Sequence, residues 1–142
     1  MVSRGQYREN LGRMVNKSVP YLWDAWGDNG ADCSGVVSNC LGLTEKKSAQ
    51  GLYNMFKDKE ILREDATPGC LYFYGESRKK ITHVMSVFNR WDNGAIIIAG
   101  ARGGNSDTIS LDVARSQKAF VDTCWGDYWL GKFVCAVDPW RP

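Results

Sequence analysis

Two residue types in this sequence have the makings of thiol chemistry. Cys33 follows Asp32 and heads the run Cys-Ser-Gly-Val-Val-Ser-Asn-Cys-Leu-Gly, in which Val36, Val37, Cys40 and Leu41 form an apolar stripe at three-four spacing and Gly42 is a natural stop. That pattern predicts a helix with Asp32 as N-cap and Cys33 in its first turn. A thiol there feels unpaired backbone N–H groups and the positive end of the helix dipole, which favour thiolate over thiol. Ser34 and Gly35 leave room for a substrate to approach the sulfur. The plain alternative is a small buried hydrophobe, the reading that suits Cys40, Cys70, Cys124 and Cys135. A thiol nucleophile needs a base, and His83 is the only histidine in the chain. In a strand, His83 shares a face with Ile81, Met85 and Val87, which would hold the imidazole against the start of the Cys33 helix. Its alternative role is that of a satisfied core residue.

The elements that must position this pair read as helices first and strands second. Tyr7 to Val19 carries Leu11, Met14 and Val15 at helical spacing and stops before Pro20. Pro20 to Ala31 mixes aromatic and turn residues and reads as an ordered loop. Another helix starts near Ser48, with Leu52, Met55, Phe56 and Leu62 predicted to face inward before Pro68-Gly69. Beyond that proline lie five strand-like runs: Cys70–Tyr74, Ile81–Phe88, Ala95–Ala101, Phe120–Trp125 and Phe133–Val137. Asp92-Asn93-Gly94 reads as a hairpin turn, and Asp112 to Lys118 as a short helical turn. The expected fold is α+β over residues 1–142, with helices on one face of an antiparallel sheet of about five strands.

Composition removes several classes of function. The chain has 142 residues, 44% hydrophobic and 24% charged, enough for a core without a metal or disulfide staple. A net charge of +2 gives no basic stripe for nucleic acid. No apolar run approaches the roughly 20 residues of a membrane span, so no membrane insertion is expected. The charged N-terminal segment has no apolar stretch behind it, so the chain is expected to be cytoplasmic as synthesised. Five cysteines without C-x-x-C, and one histidine, do not make a zinc set, and no cofactor is expected. Cys33 and Cys40 are too far apart along a helix to bond, about 10 Å. Cys124 and Cys135 can face each other across a hairpin, but a reducing compartment disfavours a bond. Six tryptophans raise carbohydrate stacking against simple core filling. Trp23 and Trp26, in the loop before Cys33, are the two to test. Gly100 to Asn105 lacks the Lys-Ser/Thr pair of a P-loop and reads as a turn.

Three blocks between Ser18 and Ala101, namely Pro20-Tyr21-Leu22-Trp23 with Asp32-Cys33-Ser34-Gly35-Val36-Val37, Pro68-Gly69-Cys70-Leu71, and Thr82-His83-Val84, together resemble the NlpC/p60 family of cell-wall cysteine peptidases. Pro20-Tyr21-Leu22-Trp23 followed by Asp32-Cys33-Ser34-Gly35-Val36-Val37 is similar to the signature around that family's nucleophile. Pro68-Gly69-Cys70-Leu71 looks like its Pro-Gly-Asp-Leu strand, and Thr82-His83-Val84 like its base-bearing strand. Ser48 to Tyr53 and Leu130 to Pro139 also resemble members carried by phages and prophages. The resemblance implies a papain-like fold and hydrolysis of peptidoglycan stem peptides, commonly at the bond from γ-D-glutamate to a diamino acid. It implies Cys33 as nucleophile and His83 as base, Tyr21 lining the site, and Asp32 and Ser34 holding the substrate's amino end; Trp23, from its place in the loop before Cys33, is a further substrate-binding candidate. Asp32 reads equally as a helix cap alone. The lack of a signal peptide and of a separate wall-binding domain fits a phage lysin that acts on the wall after release, or a virion component.

Two positions depart from the family pattern. The residue that orients the histidine is expected near Ala99 or Gly100, where no side chain can do it, leaving a backbone carbonyl, a water or Asp107. Cys70 replaces the usual aspartate, which bears on a local structural contact. The missing orienting residue supports a competing reading as a wall-peptide-binding or structural virion module. Amidase or acyl-transfer chemistry on the same pair is a third.

Overall fold

A computed structural model describes residues 1–142. Helix α1 (Arg4–Asn16) is capped by Ser3, whose hydroxyl accepts the Gln6 N–H at 3.1 Å, and it turns Tyr7, Leu11 and Met14 inward. The aromatic loop is ordered by a two-stranded ribbon, β1 (Trp26–Gly27) with β2 (Gly30–Ala31), and by Trp23 N–H donating to the Thr108 carbonyl at 2.8 Å. Helix α2 (Cys33–Cys40) follows directly, then α3 (Ala49–Phe56), capped by Ser48. The strands are β3 (Glu60–Ile61), β4 (Leu71–Ser77), β5 (Lys80–Arg90), β6 (Ile96–Arg102), β7 (Phe120–Trp125) and β8 (Phe133–Val137), with α4 (Leu111–Gln117) between β6 and β7. They form one antiparallel sheet in the order β3-β8-β4-β5-β6-β7.

The fold is the α+β architecture read from the sequence, with one sheet face covered by helices. Tyr7 and Leu11 of α1, Val36 and Val37 of α2, and Leu52 and Phe56 of α3 bury against Leu71, Phe73, Val84 and Val137. Burying each leucine fully contributes about 2 kcal/mol. Tyr7 Oη and Ser86 Oγ share a hydrogen bond of 2.5 Å between α1 and β5, so these two buried hydroxyls satisfy each other. The opposite face holds Tyr72, Tyr74, Met85, Val87 and Ile98, covered by loops and by Tyr128 and Phe133.

Four expectations change. The sheet has a sixth strand, because the chain leaves α3 at Phe56 and enters β3 after a single 3-10 turn. In consequence Leu62 lies beyond the helix and is exposed, and Met55, at the margin of the α3 stripe, is exposed as well. Ile81 does not share the face of His83. The β4–β5 register slips between Tyr74↔His83 and Gly75↔Ile81, so Ile81 turns to the helix side while Met85 and Val87 face away. Cys124 and Cys135 lie on β7 and β8, which are not neighbours in the sheet, and all five cysteines are free. The 91–95 hairpin forms as read, with Gly94 at φ +88°. No helix is long and apolar enough to cross a membrane.

Candidate active site

Cys33 is the first residue of α2, and the local sequence explains why the helix begins there. Asp32 is extended and its Oδ1 accepts the Gly35 N–H at 2.8 Å, the cap expected from the sequence. Asp32 N–H in turn donates to the Ala25 carbonyl at 3.0 Å, tying the cap to the aromatic loop. Position 35 requires glycine for space: a Cβ there would stand 2.0 Å from the Ala25 carbonyl oxygen. The Ser-Gly pair after the cysteine therefore lets the helix start press onto the loop.

A cleft of about 700 Å³ opens at this helix start and brings together Cys33 and His83. Its walls include Tyr21, Trp23, Asp32 and Ser34, the four residues expected from the sequence beside the Cys33 and His83 pair. Tyr21 is buried, and its ring fills the space that a Cβ on Gly104 would need, at 2.4 Å. Trp23 is half exposed on the rim. Trp26 is not in the lining; it belongs to the β1–β2 ribbon, where its carbonyl accepts Asn39 Nδ2 at 2.9 Å. Asp107 is exposed outside the lining. Ala99 packs in the helix-side core, and a Cβ on Gly100 would meet Met85 Sδ at 2.7 Å. No side chain from those three positions reaches His83.

A residue that the sequence reading missed stands there instead. Tyr128 Oη lies 3.5 Å from His83 Nε2, and the imidazole is further enclosed by the rings of Tyr74 and Trp129 at centroid distances of 5.5 and 5.7 Å. Tyr128 is itself held. The Arg102 guanidinium sits over its ring at 5.6 Å and is fixed by Asp122 at 2.7 Å, and Arg63 donates to the Gly126 carbonyl at 2.6 Å, pinning the turn that carries Tyr128. Nothing in the spacing of Asp127-Tyr128-Trp129 announces this, because β7 and β8 lie at different places in the sheet.

The electrostatics correct the expectation of a pre-formed thiolate. Burial pushes the Cys33 thiol up to about 11, and the Asp32 carboxylate adds to the rise. The backbone N–H groups of Val84 and Ser34, and the Lys46 ammonium, pull the other way without prevailing. His83 is pushed down to about 4 by burial. No hydrogen bond joins the two side chains, so the resting pair is neutral thiol and neutral imidazole. The Val84 N–H of β5, the Ser34 N–H at the helix start and Lys46 together offset desolvation in part, and desolvation wins. Cys70, in place of the family's aspartate, keeps a local contact: its Sγ accepts the Thr67 N–H at 3.4 Å.

The NlpC/P60 family model matches residues 18–137. The chain belongs to the NlpC/P60 family. Solved structures similar to this NlpC/P60 chain agree on the fold. One is an NLP/P60 family protein, similar to lipoprotein, from Staphylococcus aureus, with TM-score 0.65 and 16% identity over 98% of this chain and 42% of that one. Another is an NlpC/P60 family protein from Bacillus cereus, with TM-score 0.67 and 13% identity over 96% and 40%. The NlpC/p60 domain of the peptidoglycan hydrolase SagA gives TM-score 0.63 and 16% identity over 96% of this chain and 99% of that domain. The present NlpC/P60 chain spans about two fifths of the first two. No curated protein sequence matches it.

Proposed function

We propose that this protein is a peptidoglycan endopeptidase that hydrolyses stem-peptide amide bonds with Cys33 as nucleophile and His83 as base. The reading rests on one observation above all: the only histidine and a cysteine at a capped helix start line the same cleft. With Nε2 directed at Tyr128 Oη, the nitrogen left for the thiol is Nδ1. Nδ1 takes the Sγ proton as sulfur attacks the amide carbonyl, and the Cys33 backbone N–H at the helix start stabilises the oxyanion. The intermediate collapses by expelling the amine, which leaves with the proton from His83. Water, deprotonated by His83, then releases the acid and restores the thiol. Tyr21 and Trp23 flank the substrate's path, and Asp32 and Ser34 form the wall beside the nucleophile. The solved neighbour that is a domain of a peptidoglycan hydrolase supports this substrate class. The expected bond is that from γ-D-glutamate to a diamino acid.

Digestion of purified diaminopimelate-type and lysine-type peptidoglycan, read by mass spectrometry, tests the reading. New amino groups and products split within the stem peptide are expected. Products split between sugar and peptide would make the protein an amidase instead. One competing reading is a module that grips wall peptides without cutting them, favoured by the lack of an orienting side chain at Ala99 and Gly100. Binding with no turnover would establish it.

Tyr128 has its own test, as the residue that orients His83. Tyr128→Phe removes one hydrogen bond and keeps the ring under Arg102. It is expected to lower kcat about tenfold with KM unchanged, the worth of one such bond. A fall in KM and kcat together, or no change, would assign Tyr128 to packing only.

A further inference from the structure

Asp32 lies on the cleft wall beside the nucleophile, and the chain itself already engages its whole carboxylate. Oδ1 accepts the Gly35 N–H at 2.8 Å and the Ser34 hydroxyl at 3.3 Å. Oδ2 accepts the Asp24 N–H at 2.9 Å and lies 3.2 Å from Lys46 Nζ. An ionised carboxylate offers about four lone-pair sites, and these four donors use them. The fourth donor is as fully engaged as its partner. An ammonium has three N–H groups, and Lys46 Nζ has three acceptors in reach: Asp32 Oδ2, Ser34 Oγ at 3.1 Å and Asp24 Oδ1 at 3.5 Å. The Lys46 side chain is only 16% exposed, on the segment between α2 and α3, and it lines the cleft.

We propose that Lys46 is a built-in substitute for a ligand ammonium, and that it makes the cleft select peptides whose amino end is acylated over peptides with a free amino terminus. This rests on the reading of the cleft as a stem-peptide site. An acylated amino end is the form a stem peptide has while still joined to the wall. Its uncharged N–H needs no counter-ion. A free terminal ammonium, in contrast, reaches Asp32 only by expelling Lys46 Nζ or by lying beside a like charge. Expulsion leaves Lys46 with Asp24, whose side chain is 80% exposed and holds a cation weakly in water, while Asp32 is 7% exposed. The buried anion therefore keeps its internal cation. Asp32 acts here as cap and as anchor for Lys46, rather than as the collector of the substrate's amino end.

The test uses one synthetic stem peptide, L-alanyl-γ-D-glutamyl-diamino acid, made with a free amino terminus and N-acetylated. The wild-type protein is expected to favour the acetylated form in kcat/KM by about tenfold or more. Lys46→Met is expected to move that ratio at least about tenfold toward the free form, mainly through KM, and Lys46→Arg to keep the wild-type ratio. A wild-type preference for the free form, or an unchanged ratio in a folded Lys46→Met, overturns the proposal. Should Lys46→Met fail to fold by circular dichroism, the wild-type ratio decides. Calorimetric binding of both peptides to Cys33→Ala separates the two readings. If the wild type cuts neither peptide, the hydrolase reading fails, and tighter binding of the acetylated form still upholds the selection. Equal binding, or none, overturns it.

Discussion

Cys33→Ala is expected to abolish the release of new amino groups from purified peptidoglycan, a loss of at least about a thousandfold in kcat/KM. The substitution deletes one sulfur from a site whose helix is fixed by other atoms, the Asp32 cap and the Ala25 carbonyl, so the melting temperature should shift little. His83→Gln is expected to be as damaging, because no second histidine exists to take the proton. Glutamine is preferred to alanine at this position, since the imidazole packs among Tyr74, Tyr128 and Trp129 and a void there would confound activity with stability. Nucleophile and base act as one unit, so the double variant should be no slower than either single one. Amino-group release measured at matched protein concentration decides the matter. Full activity in either folded single variant would remove the Cys/His mechanism.

The two halves of that pair were legible for different reasons. Cys33 could be read because its determinants are local: an N-cap aspartate, a small residue two positions on, and an apolar stripe that starts at Val36 all lie within one stretch of chain. His83 could be read by elimination, as the sole imidazole. What positions His83 is non-local and left no such trace. Tyr128 comes from a turn after β7, and its approach depends on Arg63 from the far side of α3 and on Arg102 from β6. Lys46 sits in Glu45-Lys46-Lys47, where nothing local distinguishes the two lysines, and only the fold shows that one of them turns in toward Asp32 while its neighbour pairs with Glu45 in solvent.

The misread portions of the fold have the same origin. Helical spacing carried the expected α3 stripe through Leu62, yet a periodic pattern does not report where pairing with a distant strand takes over, and β8 claims Glu60 and Ile61. Period-two alternation placed Ile81 with His83, and a register slip at Gly75, where Lys80 crowds the backbone, reversed it. The thiol reading erred on magnitude rather than on mechanism. The Ser34 N–H at the helix start does favour thiolate, as does the Val84 N–H of β5, and near-complete burial of Cys33 outweighs them.

That neutral resting pair makes a second large prediction, in which stability and activity both turn on one proton. In the unfolded chain His83 titrates near the ordinary histidine value of about 6.5, and in the fold burial holds it at about 4. Between those values the unfolded chain binds a proton that the folded chain does not, so stability rises with pH through this window and is lost as pH falls from about 6.5 to 4. The loss amounts to about 3 kcal/mol. Urea unfolding at pH 7 and at pH 4 should show it in the wild type and not in His83→Gln, the difference isolating His83 from the carboxylates. Activity follows the same proton: kcat/KM should fall only below about pH 4.5, as the imidazole that must accept from Cys33 becomes charged. A thiolate–imidazolium ion pair demands the opposite, a histidine held protonated well above 6.5 by the neighbouring anion. The chain has one histidine, so its imidazole carbon-bound protons give a single titration by NMR. A midpoint near 4 supports a proton transferred during attack, and a midpoint above 7 would replace it with a pre-formed ion pair.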